Sequence, residues 1–550
     1  MSASPAARPS WRDDAVAASI ITLLLIPQSL AYALLAGLPA ELGLAASIVP
    51  AMAYAAVGTS PFSVMGPGAV LSLMTAQGLH HALAVAPAGT PVVALAGVLA
   101  LEIGAVLALG ALLRLDALVA LLSVPVLHGF MTGASLTIVI TQLPVLLGSS
   151  SSGNGLATVL QGWLGASQVV NPPTLAVGAG TLGLLWLSRR PGLPRLLGRL
   201  APLLAMALAI GAALLWPLAD QGVRTVGTLP PLAIRASLPL LDLQLWRLLL
   251  PTASMIALLA SVEHLAVVSS LAARCRQHIV PRRELAGLGA SNIVAALTGG
   301  MPVGGGLSRS AVAYDAGARS KRVGVMVGLM MALSAVVLAE PLAHLPRAVL
   351  AATILVAASS MLDLGPFRLA WRFAHAEFWV MLGVAALTLL ASMEVALSVG
   401  VALSAALLLQ RTADPHVARI GRVPGTEHYR NIERHTAEEQ PGVVALRIDE
   451  SLLFTNAREL GSLVQDQLDE DTRRVVLQMS PVNTIDFSGL TALLALDEAL
   501  HARGVRLDLA EVKGPVMDRL ASADWSHRVH GKVYLSLHQA LQPTESLSPR

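Results

Sequence analysis

The sequence predicts an α-helical membrane protein of fourteen spans, arranged as two inverted repeats of seven, followed by a small α/β domain in water. Three observations lead there. The chain is 55% hydrophobic and only 13% charged over 550 residues, with a mean hydropathy of +0.67, whereas soluble domains are about a quarter charged. Only 14 of its 34 Asp and Glu residues precede position 412, so the apolar character belongs to the first three quarters. Two short Gly- and Pro-bearing segments sit third in each set of seven apolar runs.

A spanning helix needs about 20 apolar residues, and fewer suffice for a half-helix enclosed by protein. Such runs fall near 15–36, 40–57, 66–78, 91–112, 117–147, 173–188, 199–218, 248–272, 285–298, 308–317, 323–339, 347–362, 376–393 and 395–411. Arginine and lysine concentrate in cytoplasmic loops. With the N-terminus inside, alternate loops hold Arg114; Arg189, Arg190, Arg195 and Arg199; Arg274, Arg276, Arg282 and Arg283; Arg319, Lys321 and Arg322; and Arg368 and Arg372. The intervening loops hold few, chiefly Arg224, Arg235, Arg247 and Arg347. An even count with both termini cytoplasmic follows. Seven is odd, so a repeat of seven spans has to be inverted.

The interrupted segments are "SVMGPGAVLSLM" (63–74) and "VGGGLSRSAVAY" (303–314). Broken segments at matching positions in two halves point to a midplane binding site. A half-helix that begins inside the membrane has unpaired N–H groups and about half a positive charge at its start. Two such starts facing each other attract an anion. Ser308 is expected as an N-cap and Pro67 in a first helical turn. Glycines 66, 68, 304, 305 and 306 permit close approach of backbone to a ligand. Arg309 then adds a full charge where burial is costly without a counter-ion. Either it meets a transported anion or it pairs permanently with Glu263 or Asp315.

Glu263, in "ALLASVEHLAVVSSLAA", is a carboxylate inside an apolar run, which suggests a proton relay or a structural ion pair. Glu102 is expected to pack between helices through a hydrogen bond, and His264 to be a satisfied helix histidine. Gln28 and Tyr32 lie four apart, hence on one helix face, where they line a cavity or bond across helices. The single cysteine, Cys275, excludes a disulfide framework and CxxC chemistry. The sequence offers no metal-ligand spacing, cofactor motif, nucleophile–base pair or nucleic-acid signature.

The stretch 24–73, together with 121–148, 292–320 and 345–363, resembles the SulP sulfate permease family of secondary anion transporters, and the similarity covers nearly the whole chain. The resemblance implies a transport core moving against a gate scaffold, usually in a homodimer. It implies a substrate site at Gln28, Tyr32, Gly66, Pro67, Gly68, Ala69, Glu263, Gly306, Leu307, Ser308, Arg309 and Ser310, and the intramembrane position of Glu263 makes it the candidate for proton coupling. Sodium-coupled bicarbonate relatives have an Asp at Glu263 and a Thr where this chain has Val267, which argues against a sodium site. The expected cargo is sulfate. Bicarbonate, chloride or dicarboxylate transport or exchange is the alternative, and an uncoupled anion channel a further one.

The charged tail reads as strand, helix, strand, helix. It resembles a STAS domain, with "DFSG" (486–489) making Ser488 a candidate phosphorylation site or an ordinary N-cap serine. The expected organisation is a cytoplasmic N-terminus at 1–14, the transport domain at 15–411, a linker at 412–441, the STAS domain at 442–541 and a tail at 542–550. Through that domain a cytoplasmic protein partner is expected. No secretory signal precedes the first span, and a bacterial inner-membrane location is expected.

Overall fold

The computed structural model describes residues 11–542 except 115–121, 150–155, 157, 158, 160, 162–169, 191–194, 231–241, 276 and 414. Residues 1–10 of the expected N-terminal segment, the start of the fifth span and residues 543–550 of the tail lie outside these, as do the side chains of Leu307 and Ser308. The contacts divide the chain into two compact units, Met1–Ser404 and Ala405–Arg550.

Each of the fourteen expected spans contains described helix. The first seven are α1 (Trp11–Leu35), the broken pair α2 (Ala40–Ala45) and α3 (Val49–Val57), then β1 (Met65–Gly66) leading into α4 (Ala69–Val85), α5 (Val92–Leu112), α6 (Val124–Leu147), α7 (Pro172–Leu187) and α8 (Arg195–Leu215). The second seven are α9 (Leu243–Cys275), α10 (Pro281–Leu297), then β2 (Gly304–Gly305) leading into α11 (Leu307–Asp315), α12 (Arg322–Val337), α14 (Arg347–Ser359), α16 (His375–Leu390) and α17 (Met393–Ala413), with α13 (Ala339–Ala343) and the amphipathic α15 (Gly365–Phe373) between them. Of the two half-helices only α11 is short, at 9 residues; α4 continues for 17.

Two groups of helices pack chiefly among themselves. In one, α10 packs on α3 and α5, α9 on α4 and α5, and α12 on α1 and α3. In the other, α6 packs on α14 and α16, and α7 on α14. Within lipid, helices associate through small residues and close packing, because hydrophobicity gives no preference for helix over acyl chain. Gly129 and Gly133 on α6 illustrate this: a Cβ at either would come within 2.4 or 2.6 Å of the carbonyls of Met381 and Ala385 on α16.

The second unit is built on a six-stranded sheet of order β4-β3-β5-β6-β7-β8, whose strands are β3 (Val417–Arg422), β4 (Tyr429–Asn431), β5 (Val443–Ile448), β6 (Arg474–Gln478), β7 (Arg506–Ala510) and β8 (Val533–Tyr534). The last four are parallel, and their near-continuous apolar runs match strands covered on both faces. Period-2 alternation divides the residues: Val444, Leu446, Val475 and Leu477 join one core with Leu493 and Leu496, while Ala445, Val476 and Ala510 join another with Leu537 and Leu541. The helices are α18 (Leu460–Gln465), α19 (Phe487–Ala502), α20 (Gly514–Ser522), α21 (Trp525–Arg528) and α22 (Leu537–Leu541).

The segment 412–441 is not a linker in this structure. β3 pairs antiparallel with β5, and β4 with β3, so the charged stretch supplies two strands at the sheet edge. Short strands interleaved with charge are hard to distinguish from a solvated connection by pattern alone.

Candidate functional site

The geometry begins with the ribbon. β1 and β2 are two residues each and pair antiparallel, Met65 with Gly305 and Gly66 with Gly304. The chain therefore leaves the ribbon in opposite directions into α4 and α11, and the two helix starts, capped by Gly68 and Gly306, lie at its ends. The helix α1 packs on both α4 and α11, and α9 packs on α4, α11 and β2. The ribbon is thus held between the first helix of each repeat.

Arg309, in the first turn of α11, is 4% exposed. Its guanidinium donates to the carbonyls of Pro67 (2.5 Å), Gly66 (3.1 Å) and Gly304 (2.9 Å). Among the described residues these bonds run to backbone carbonyls and not to Glu263 or Asp315. Two glycines make room for the group. A Cβ at Gly66 would come 3.2 Å from Nη1, and one at Gly306 would come 3.0 Å from Nε and Nη2. Arg309 Nε, Ser310 Oγ and Ser72 Oγ are buried without a partner among the described residues. The arrangement gathers one full positive charge, two helix starts and unmatched donors in one place.

Tyr32 is buried and Gln28 half-buried on α1. Tyr32 and Glu263 both lie within electrostatic reach of the Arg309 guanidinium. The structure therefore brings together Arg309, Ser310, Gly66, Pro67, Gly68, Ala69, Gly306, Tyr32 and Glu263 around one ribbon. The expected caps differ. Gly306, not Ser308, occupies the N-cap of α11, and Pro67 precedes α4 instead of entering its first turn. A glycine N-cap leaves the first N–H groups without a side-chain acceptor, which keeps them available.

Sequence reading missed Glu284. In "VPRRELAG" it looks like a loop charge beside arginines, yet it is fully buried in the first turn of α10. It accepts hydrogen bonds from Tyr54 Oη, from the Thr59 N–H (2.7 Å) and hydroxyl, and from the Ser60 N–H (3.1 Å). It also lies 2.8 Å from His264 Nε2. His264 is accordingly more than a satisfied helix histidine: its ring stands edge-on to Tyr54 and Nδ1 lies 3.4 Å from Ser63 Oγ. Pro281 at the first helical position was the available signal, since it makes Glu284 a first-turn acid. Glu102 has no hydrogen-bond partner among the described residues, contrary to expectation.

In the tail, the N-cap of α19 is Asp486, which accepts from the Gly489 N–H at 2.8 Å. Ser488, the second residue of α19, is half-buried and does not cap. No cluster of metal ligands occurs among the described residues.

Comparison with known proteins follows the same lines. The sulfate permease family matches residues 11–384 and the STAS domain matches residues 434–540. A probable sulfate transporter of Mycobacterium tuberculosis is 31% identical over 96% of this chain and 95% of its own. Among solved structures, the murine Solute Carrier 26 family member A9 anion transporter in its inward-facing state superposes with a TM-score of 0.84 at 22% identity, covering 97% of this chain and 91% of that one. The transmembrane domain of a cyanobacterial bicarbonate transporter gives 0.62 at 21% identity, over 72% and 97%. At those identities the two structures speak to the fold alone.

Proposed function

The chain belongs to the sulfate permease family and is a secondary anion transporter of the membrane, and from that premise we propose that its cargo is sulfate, moved together with protons. The observation that carries the reading is the buried guanidinium of Arg309 spanning the leads into both half-helices. An anion at the helix starts meets two positive dipole ends and a charge that no carboxylate neutralises through a hydrogen bond. Gln28 and Tyr32 form the polar wall from α1; Gly68, Ala69, Gly306, Leu307 and Ser308 present the helix-start backbone and Ser310 a hydroxyl, while Gly66 and Pro67 hold Arg309 through their carbonyls. Glu263, near enough to feel Arg309, is the proton carrier: protonated with the anion bound, ionised against Arg309 when the site is empty. The α1–α5/α9–α12 group shifts against the α6–α7/α14–α16 group to expose the site on alternate sides.

The protein acts as a homodimer in a bacterial inner membrane with both termini in the cytoplasm. Ser488, in the first turn of α19, is a phosphate acceptor through which the tail answers a cytoplasmic partner; a phosphate there meets a helix N-terminus that favours negative charge.

Purified protein in liposomes tests the assignment through radiolabelled sulfate uptake with and without an inward proton gradient. Gradient-driven uptake lost in both Glu263→Gln and Arg309→Ala supports proton–sulfate symport. Folded protein that takes up no sulfate would turn the assignment to bicarbonate, chloride or dicarboxylates, and non-saturable flux to a channel.

A further inference from the structure

A second cavity, of about 250 Å³, opens where α1, α6, α7 and α14 meet, at the ends of α1 and α6 and the beginnings of α7 and α14. Its volume is below the roughly 300–1,000 Å³ typical of sites for drug-sized ligands, which limits it to a small solute. Its lining includes Gln142, Arg224 and Arg347, with Ala31 and Leu34 of α1, and no carboxylate. Gln142 is only 8% exposed, and its amide has no hydrogen-bond partner among the described residues. On the cavity wall that amide is free to donate to an acceptor that enters. Thr174, also on the wall, is committed: its hydroxyl donates to Asn171 Oδ1 at 2.9 Å. Arg347 is held in place by its Nε donating to the Thr225 carbonyl and by its backbone N–H donating to the Arg224 carbonyl, both at 2.9 Å. The Arg347 guanidinium is thus tied to the loop at the cavity wall, where Arg224 contributes a second positive charge.

Along α1, Leu34 is six residues from Gln28, about 9 Å at the helical rise. The cavity therefore adjoins the wall that carries Gln28 and Tyr32. We infer that it is a second anion site, a staging position that collects small inorganic anions from the non-cytoplasmic side before they reach the ribbon. The inference rests on the transport reading above and on its topology. Gln142 supplies N–H donors, and the two arginines raise the local anion concentration.

The test uses full-length protein in liposomes of known orientation, with sulfate titrated separately on each face. Arg224→Ala and Gln142→Glu each raise the KM on the non-cytoplasmic face about fivefold, the effect of one unit charge at close range in water, while kcat and the KM on the cytoplasmic face stay as in the parent. Raising ionic strength increases the parent KM on that face and affects Arg224→Ala less. Unchanged KM in both variants, or a shift confined to the cytoplasmic face, overturns the proposal. If the parent moves no sulfate, the transport reading has failed, and the cavity is then judged by thermal stabilisation of the detergent-solubilised protein by sulfate. Stabilisation diminished in both variants supports the second site; stabilisation equal to the parent's, or none in the parent, overturns it.

Discussion

Nε2 of His264 lies 2.8 Å from Oε2 of Glu284, with the two side chains 1% and 0% exposed. Adjacent residues on α9 therefore serve different faces: Glu263 lies within electrostatic reach of Arg309, while His264 is tied to α10. Through Glu284 that link extends to Thr59 and Ser60, in the loop that leads to β1. The ribbon's position thus depends on a carboxylate that touches none of the ribbon's own residues.

Glu284→Ala leaves several buried donors unmatched, at about 1–3 kcal/mol for each group stranded. We expect a marked drop in thermal stability in detergent and loss of transport. Glu284→Gln keeps one oxygen for the Thr59 and Ser60 N–H groups, and Tyr54 can turn its hydroxyl to accept. Its stability lies between parent and Ala. A thermal-shift series over the three proteins checks the order; equal stability of Ala and parent would refute it.

Arg309→Lys retains the charge but not the planar fork that reaches three carbonyls. Anion affinity is expected to fall by about tenfold, the loss of one charge-assisted contact, with Arg309→Ala lower still. Sulfate-dependent uptake kinetics separate the variants, and Lys behaving as the parent does would mean that only charge matters.

Gly305→Ala places a Cβ 2.3 Å from His264 Nδ1, against a ring already fixed by Glu284. Overpacking of this kind costs about 1–3 kcal/mol and displaces the ribbon, so uptake should collapse. At Gly68 the nearest atom to an added Cβ is Leu71 Cδ1 at 3.7 Å, and Gly68→Ala should keep most of its activity. Uptake measured at matched protein levels would contradict the packing argument if the two variants ranked in reverse.

Acid weakens the tail through Asp449. Burial alone would raise its carboxyl, but hydrogen bonds from Arg447 (2.5 and 3.0 Å) and the contact with His416 at 3.0 Å bring it below the ordinary 3.8. A group lowered in the folded state adds stability above its unfolded value, and that stability is lost as pH falls below 3.8 through the folded value. Calorimetry of the full chain should show the tail transition moving down in temperature over that acidic range, less steeply in Asp449→Asn. Asp469, lowered by Arg419, keeps some slope in the variant. An identical pH profile for both proteins would count against the ion pair.

The sequence by itself determined the fourteen spans, their alternation and the pairing of the two interrupted segments, because apolar length, arginine placement and Gly/Pro breaks are local properties that the membrane imposes on any chain. It also singled out Arg309 and Glu263, since a charge inside an apolar run is conspicuous. Only the tertiary structure decided where Arg309 points, toward the carbonyls of Gly66 and Pro67 as well as the nearby Gly304, because the first two acceptors come from the other repeat, 242 and 243 positions away in sequence. The same holds for Glu284, whose partners Tyr54 and Thr59 belong to the first repeat, and for the strands within 412–441, which become strands by pairing with β5. Hydrogen-bond satisfaction inside a membrane is settled between segments, and no local pattern records which distant segment supplies the partner.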